Sequence, residues 1–327
     1  MLVTGGAGFI GSHLVDALLA RGERVVVFDN FDPFYDPAIK RANLAAHATN
    51  PAFTLIEGDI LDPDALVAAF TAHAPTAVVH LAARAGVRPS IADPGAYEAT
   101  NVRGTYVLLE AMRHAGVRRL VFASSSSVYG EQPTTPFRED ALPAPLSPYA
   151  ATKLAGEACC GAYARLHGIR AVALRLFTVY GPRQRPDLAI TKFAKLIAAG
   201  APIPMYGDGG SERDYTYVGD VVAGILAALA YTATPFEVVN LGGGQAVSLS
   251  TMIAQLAASL GRPARLDRQP EQPGDAPRTA ADLTKAGALL GYAPVASFET
   301  GLAATIAALG LVSSPSDDEG TALRGLR

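Results

Sequence analysis

The tightest constraint on this chain lies in its first eleven residues, where the apolar run Met1-Leu2-Val3 leads through Thr4 into a turn carrying Gly5, Gly8 and Gly11. A strand that turns into a helix in this way leaves the first N–H groups of the helix without backbone partners, facing whatever occupies the turn. Glycines at this spacing serve a tight turn, close approach of the backbone to a pyrophosphate, and close helix–sheet packing. Alone, the cluster also fits a purely structural turn. Arg24 to Phe28 then reads as a second strand that ends at Asp29. An acid about twenty residues beyond the glycines binds the ribose 2′-hydroxyl of NAD and repels the extra phosphate of NADP, so the expected cofactor is NAD.

The remaining pattern alternates. Phe53 to Glu57, Ala77 to Leu81, Arg119 to Ala123 and Ala171 to Leu174 read as apolar strands, with helices over 62–71, 101–115 and 149–166 between them. Asn30 to Pro37 is an aromatic, proline-punctuated insertion. Near-continuous apolar strands alternating with helices predict an α/β fold, a Rossmann-type doubly wound parallel sheet covered on both faces. Beyond Phe177-Thr178-Val179-Tyr180-Gly181-Pro182, proline and glycine become frequent and the alternation loosens. Helices are expected over 187–199 and 248–260, with Glu237 to Asn240 returning to the sheet. The expected organisation is a predominantly NAD-binding domain over 1–180, a smaller C-terminal substrate-binding lobe over 181–312 with segments returning to the main domain, and a mobile polar tail over 313–327.

Charge narrows the partners. With 27 basic and 30 acidic side chains among 327 residues, the formal net charge of −3 gives no general attraction for nucleic acid or an anionic membrane. The two cysteines, Cys159 and Cys160, are adjacent in a helical pattern, which suits packing and neither a disulfide nor a metal site; no metal is expected. Neither a basic leader before an apolar secretory segment nor an uninterrupted apolar run of about eighteen residues is present, so a soluble cytoplasmic protein is expected.

The chemistry-bearing pattern comes later. Ser124 to Ser127 follow an apolar strand, and Tyr149 and Lys153, four residues apart, share one face of a helix. A free phenol titrates near about pH 10 and is a poor base at neutrality, but a nearby ammonium and a cofactor cation favour the phenolate. Lys153 also suits the nicotinamide ribose. Ser125 is the hydroxyl expected to complete the proton path, with Ser126 and Ser127 as neighbouring contacts. A Tyr–Lys pair at this spacing arises by chance in some chains, and serine runs are often turns; with the glycine turn and Asp29, oxidation at an alcohol carbon is the stronger reading.

These residues resemble an extended short-chain dehydrogenase/reductase, specifically a nucleotide-sugar 4-epimerase of the UDP-glucuronate 4-epimerase kind. The similar stretches are Thr4 to Gly11, Asp29-Asn30, Gly58-Asp59-Ile60, His80 to Ala83, Asn101 with Gly104-Thr105, Ser124 to Gly130, and Tyr149 with Lys153. The resemblance implies a cofactor site that includes Phe9, Ile10, Asn30, Leu81, Ala82, Ala83 and Asn101, with Asp59 and Ile60 bordering the adenine. It makes Tyr149 the general base and Lys153 its cofactor-binding partner. It also implies that a sugar 4-hydroxyl is oxidised to a ketone and reduced again from the opposite face, with NAD regenerated in each cycle. Related dehydratases and decarboxylases place an acid beside the catalytic hydroxyl; Ser124 to Ser127 contain none, which disfavours both.

The same resemblance assigns the substrate end. In the tract Thr178 to Ala189, Thr178 and Arg185 are implied at the sugar carboxylate, where a guanidinium and a hydroxyl hold both oxygens. Arg183 is either solvated or phosphate-binding. The stretch around Phe34 and Tyr35 matches the same subfamily. Arg88 and Arg213 are implied at the diphosphate, Tyr206 at the uracil, Asp275 at the ribose, Arg278 at a phosphate and Ser127 at the sugar. The expected ligands are UDP-glucuronate and UDP-galacturonate. Small residues Ala155, Ala158 and Ala162 permit close helix pairing in a homodimer, although alanine is also simply a good helix former. A neutral UDP-sugar 4-epimerase, a UDP-glucuronate decarboxylase and a redox-inactive NAD-binding protein are the competing readings.

Overall fold

Runs of β-branched residues such as Val25-Val26-Val27 form strands because their side chains pack well on a pleated surface enclosed on both faces. The computed structural model describes residues 1–270 and 277–311. In chain order the strands are β1 (Leu2–Thr4), β2 (Val25–Asp29), β3 (Phe53–Glu57), β4 (Val78–His80), β5 (Arg119–Ser125) and β6 (Arg170–Leu176). They are followed by β7 (Thr178–Tyr180), β8 (Pro202–Tyr206), β9 (Glu212–Tyr217), β10 (Phe236–Leu241), β11 (Ala246–Ser248) and β12 (Arg265–Gln269).

Seven of these form one sheet in the order β10-β6-β5-β4-β1-β2-β3, with every pairing parallel. The period of two along each strand divides the apolar residues between two cores. Val3, Val27, Val79 and Val121 lie in one. Their neighbours Leu2, Val26, Val78 and Leu120 lie in the other, with the buried, unpaired thiols of Cys159 and Cys160. From β1 the chain runs to β2 and β3 on one side and then returns to place β4 on the other. This reversal opens a crevice beyond the carboxyl ends of β1 and β4, where doubly wound sheets bind their ligands.

The expected strands and helices are present, with ends displaced by at most three residues. One expected helix is interrupted: residues 99–103 form a π-helical turn before the helix Gly104–His114. The strand over 237–240 does return to the sheet, as β10 beside β6. The helix Val218–Ala230 went unread because it is apolar almost all round; it buries Val221, Val222 and Ile225 in the same core as Val3.

Two small sheets, β11-β9-β7 and β12-β8, stand beyond the carboxyl edge of the main one. Their own core gathers Tyr180, Ile190, Phe193, Met205, Met252 and Leu302. The segment expected as a tail and the expected ribose contact Asp275 lie outside the described residues.

Candidate active site

The glycines do different jobs. Gly5 has φ +70° and a Cβ there would stand 2.6 Å from the Ala82 nitrogen, so the turn between β1 and the first helix admits no side chain at this position. A Cβ on Gly11 would collide with the Gly5 carbonyl, so Gly11 sets how closely the helix Phe9–Ala20 approaches the strand. Gly8 is the N-cap and provides no side-chain hydrogen bond, which leaves the first N–H groups of that helix for a ligand. Gly8, Phe9, Ile10 and Gly11 line a continuous cleft of about 1390 Å³. An uncapped helix start in the wall of a cleft fits a pyrophosphate.

Asp29 is 6% exposed and its two oxygens accept from the Ala7 and Phe31 N–H groups at 3.0 and 2.9 Å, tying the glycine turn to the end of β2. It still lines the cleft, as do Asn30, Ile60, Leu81, Ala82 and Ala83. Asp59 is turned aside: its carboxylate accepts from the Asn30 side chain and the Leu61 N–H. Asn101 stands behind the wall. It accepts from the Arg84 N–H at 2.8 Å and donates to the Arg84 carbonyl and to Thr152, so it clamps the loop after β4 onto the helix that carries Tyr149.

That helix, Pro148–His167, starts where Ser147 accepts from the Ala150 N–H and Pro148 occupies the first turn, and stops at Gly168 with φ +66°. Ser90, fully buried, accepts from the Tyr149 N–H at 3.1 Å and holds its first turn in place. Tyr149, Lys153 and Ser124 to Ser127 all line the same cleft. The serines are not equivalent. Ser124 points into the core and donates to Glu157 at 2.5 Å, while Glu157 holds a bidentate pair with the buried Arg175. Ser125 lines the cleft beside Tyr149, where its hydroxyl opposes the rise of the phenol pKa, and it accepts from the Ser127 hydroxyl at 2.8 Å.

The electrostatics differ from the simple expectation. Burial raises the Tyr149 pKa, and the influences that oppose this are the Ser125 hydrogen bond and then the Arg185 charge, rather than Lys153. Lys153 is 4% exposed, donates to the Ala123 carbonyl at 2.7 Å, and is brought down to about 8 by burial. One of its three N–H groups is therefore committed to the strand end, which leaves two for the cleft.

Thr178, Arg185, Arg88, Tyr206 and Arg213, expected at the substrate, line the same cleft. Arg185 lies 5.0 Å over the Phe34 ring and makes two hydrogen bonds to Asp187, at 3.0 and 2.7 Å. Arg88 stacks on Tyr206 at 4.7 Å. Arg183 pairs with Asp16 at 2.8 Å. Arg278 is directed away from the cleft: Pro277 and Thr279 line it, while Arg278, between them in an extended bridge, pairs with Glu212 at 2.9 Å and is about half exposed. Sequence reasoning missed Asp187, Ser90 and Glu157. Asp187 carried a local signal, an acid two residues after the arginine; the other two act only through distant contacts.

A parallel sheet with its crevice at the β1/β4 reversal, and a Tyr–Lys–Ser group at the carboxyl edge of β5, define a dinucleotide-dependent oxidoreductase fold that works on alcohol carbons. The chain belongs to the NAD dependent epimerase/dehydratase family, whose model matches residues 1–242. A UDP-glucuronate 4-epimerase of Thermodesulfobacterium geofontis is 41% identical over 307 residues, covering 93% of this chain and 94% of that protein. The crystal structure of a UDP-glucuronic acid 4-epimerase from Bacillus cereus, in complex with UDP-glucuronic acid and NAD, superposes with a TM-score of 0.90 at 40% identity, covering 94% of this chain and 98% of that one. A UDP-glucose 4-epimerase from Thermus thermophilus, in complex with NAD, has a TM-score of 0.86 at 36% identity, with coverage of 94% and 98%.

Proposed function

We infer that the protein is an NAD-dependent UDP-glucuronate 4-epimerase that interconverts UDP-glucuronate and UDP-galacturonate through a 4-keto sugar. The observation that carries this reading is one cleft holding both the Tyr149–Ser125 pair and the Arg185 guanidinium, whose charge reaches the Tyr149 phenol. A uronate presents an alcohol and a carboxylate to those two places.

In this reading the start of the first helix holds the cofactor pyrophosphate, Asp29 the adenosine ribose and Lys153 the nicotinamide ribose. NAD, when bound, supplies a hydride acceptor at C4 and then a donor. Tyr149 takes the proton of the 4-hydroxyl, and Ser125, itself hydrogen-bonded to Ser127, stabilises the phenolate that does so. Tyr149 returns the proton after the sugar has turned over. Arg185 and Thr178 hold the carboxylate throughout. That grip also restrains decarboxylation, since a carboxylate in an ion pair gives up its electrons less readily.

Residues 1–180 then serve predominantly as the cofactor domain and 181–312 as the UDP-sugar lobe, with Arg88, Tyr206 and Arg213 at the nucleotide and Asp275 as a further candidate. We also propose a homodimer through the helices Gly104–His114 and Pro148–His167, where Tyr106 and Leu166 are exposed at 45% and 74%. Among the described residues no helix is long and apolar enough to cross a membrane.

The test is product analysis with UDP-glucuronate and UDP-glucose supplied separately. Selective formation of UDP-galacturonate supports the reading. Preferential formation of UDP-galactose from UDP-glucose, or a UDP-pentose from UDP-glucuronate, rejects it.

A further inference from the structure

We propose that Asp187 is a resident stand-in for the substrate's carboxylate: it occupies the carboxylate-reading edge of Arg185 until a uronate displaces it, and so limits the preference for acidic over neutral nucleotide sugars that Arg185 confers. The inference rests on the reading that Arg185 meets the sugar carboxylate. Arg185 donates from Nε to one Asp187 oxygen at 3.0 Å and from Nη2 to the other at 2.7 Å. This is the two-pronged geometry by which a guanidinium recognises any carboxylate, so the side chain of Asp187 and a sugar carboxylate compete for the same edge. Nη2 is also directed to the Ala85 carbonyl at 3.3 Å, which commits it further.

The two partners differ in freedom. The Arg185 side chain is 16% exposed and is held by the Ala85 carbonyl and the Phe34 ring, whereas Asp187 is 42% exposed. The aspartate can therefore swing into water while the arginine stays. A neutral sugar brings nothing that takes over the guanidinium, and meets a wall whose charge is already compensated. A uronate exchanges one carboxylate for another, and the displaced aspartate regains its hydration outside. An opposite arrangement, in which Asp187 remains in place and orients Arg185 for the substrate, makes the opposite prediction.

The experiment uses the full-length, NAD-loaded protein, with D187N and D187E compared against the wild type. UDP-glucuronate, UDP-galacturonate and UDP-glucose are each titrated calorimetrically, and KM and kcat are measured for the two uronates. Removal of the competing charge in D187N is expected to lower Kd and KM for both uronates about three- to fivefold, the worth of a partly exposed ion pair. The effect should fall in KM more than in kcat, and UDP-glucose should move less, so that the acid-to-neutral ratio widens. D187E keeps the charge and should keep the wild-type ratio. A higher uronate Kd in D187N, or an equal shift for UDP-glucose, overturns the proposal. If the wild type binds UDP-glucose as tightly as the uronates, the carboxylate role of Arg185 fails first and the proposal falls with it, a result visible before any variant is compared.

Discussion

The Nζ of Lys153 donates to the carbonyl of Ala123 at 2.7 Å, so the helix that carries the proposed base is tied directly to the end of the strand that carries the serines. The contact places a cation in a site only 4% exposed, with a pKa near 8 instead of 10.5. Between those two values the unfolded chain binds more protons at this residue than the folded one. Stability contributed here therefore rises as pH climbs from about 8 to about 10.5, and the burial penalty is fully present below about 8. Replacing Lys153 with Met removes the penalty, on the order of 1–3 kcal/mol at neutral pH once the abandoned carbonyl is counted. Urea unfolding should find K153M closest to or above the wild type at pH 7 and relatively weaker at pH 10, together with much weaker NAD binding. A difference between the two proteins that does not change with pH would remove this account of Lys153.

Tyr149→Phe deletes the proposed proton acceptor and little else, since the ring still packs edge-on against Tyr97. Loss of a positioned acid–base group lowers kcat by roughly 10²–10⁴-fold. NAD binding should persist within a few-fold. Because burial raises the Tyr149 pKa, wild-type activity should increase toward alkaline pH, and the residual activity of Y149F should lack that rise. Single-turnover reduction of bound NAD at several pH values measures both; normal turnover by Y149F would exclude Tyr149 as the base.

Ser125 and Ser124 are adjacent in sequence and separate in consequence. Ser125→Ala removes the hydroxyl that favours the Tyr149 phenolate, so the pH–rate profile should move to higher pH with little change in melting temperature. Ser124→Ala leaves a buried carboxylate of Glu157 short of one donor and should cost about 1–3 kcal/mol of stability while the pH profile stays put. Identical pH profiles for wild type and S125A would count against the proton path drawn here.

Arg185→Met keeps the apolar stem and removes the charge, together with the guanidinium that lies over Phe34. Loss of a charge-assisted pair is worth about 1.5–3 kcal/mol, so KM for UDP-glucuronate should rise roughly 10- to 100-fold, with a smaller effect on UDP-glucose. Steady-state kinetics on both substrates decides it; equal losses would make Arg185 a structural residue.

What the sequence determined by itself is whatever depends on neighbours in the chain. The collision of a Cβ on Gly11 with Gly5, the division of Leu2 and Val3 between opposite faces, and the four-residue spacing of Tyr149 and Lys153 all follow from local geometry. So did the alternation that produced the parallel sheet. The tertiary structure alone removed Ser124 from the cleft chemistry, because Glu157, 33 residues away, claims its hydroxyl. It turned Arg278 toward Glu212, tied the Lys153 ammonium to Ala123, and brought Arg185 to the carbonyl of Ala85 across 100 residues. The physical reason is common to these cases: a buried polar group must find a partner, and the partner is supplied by the way distant strands and loops close around it.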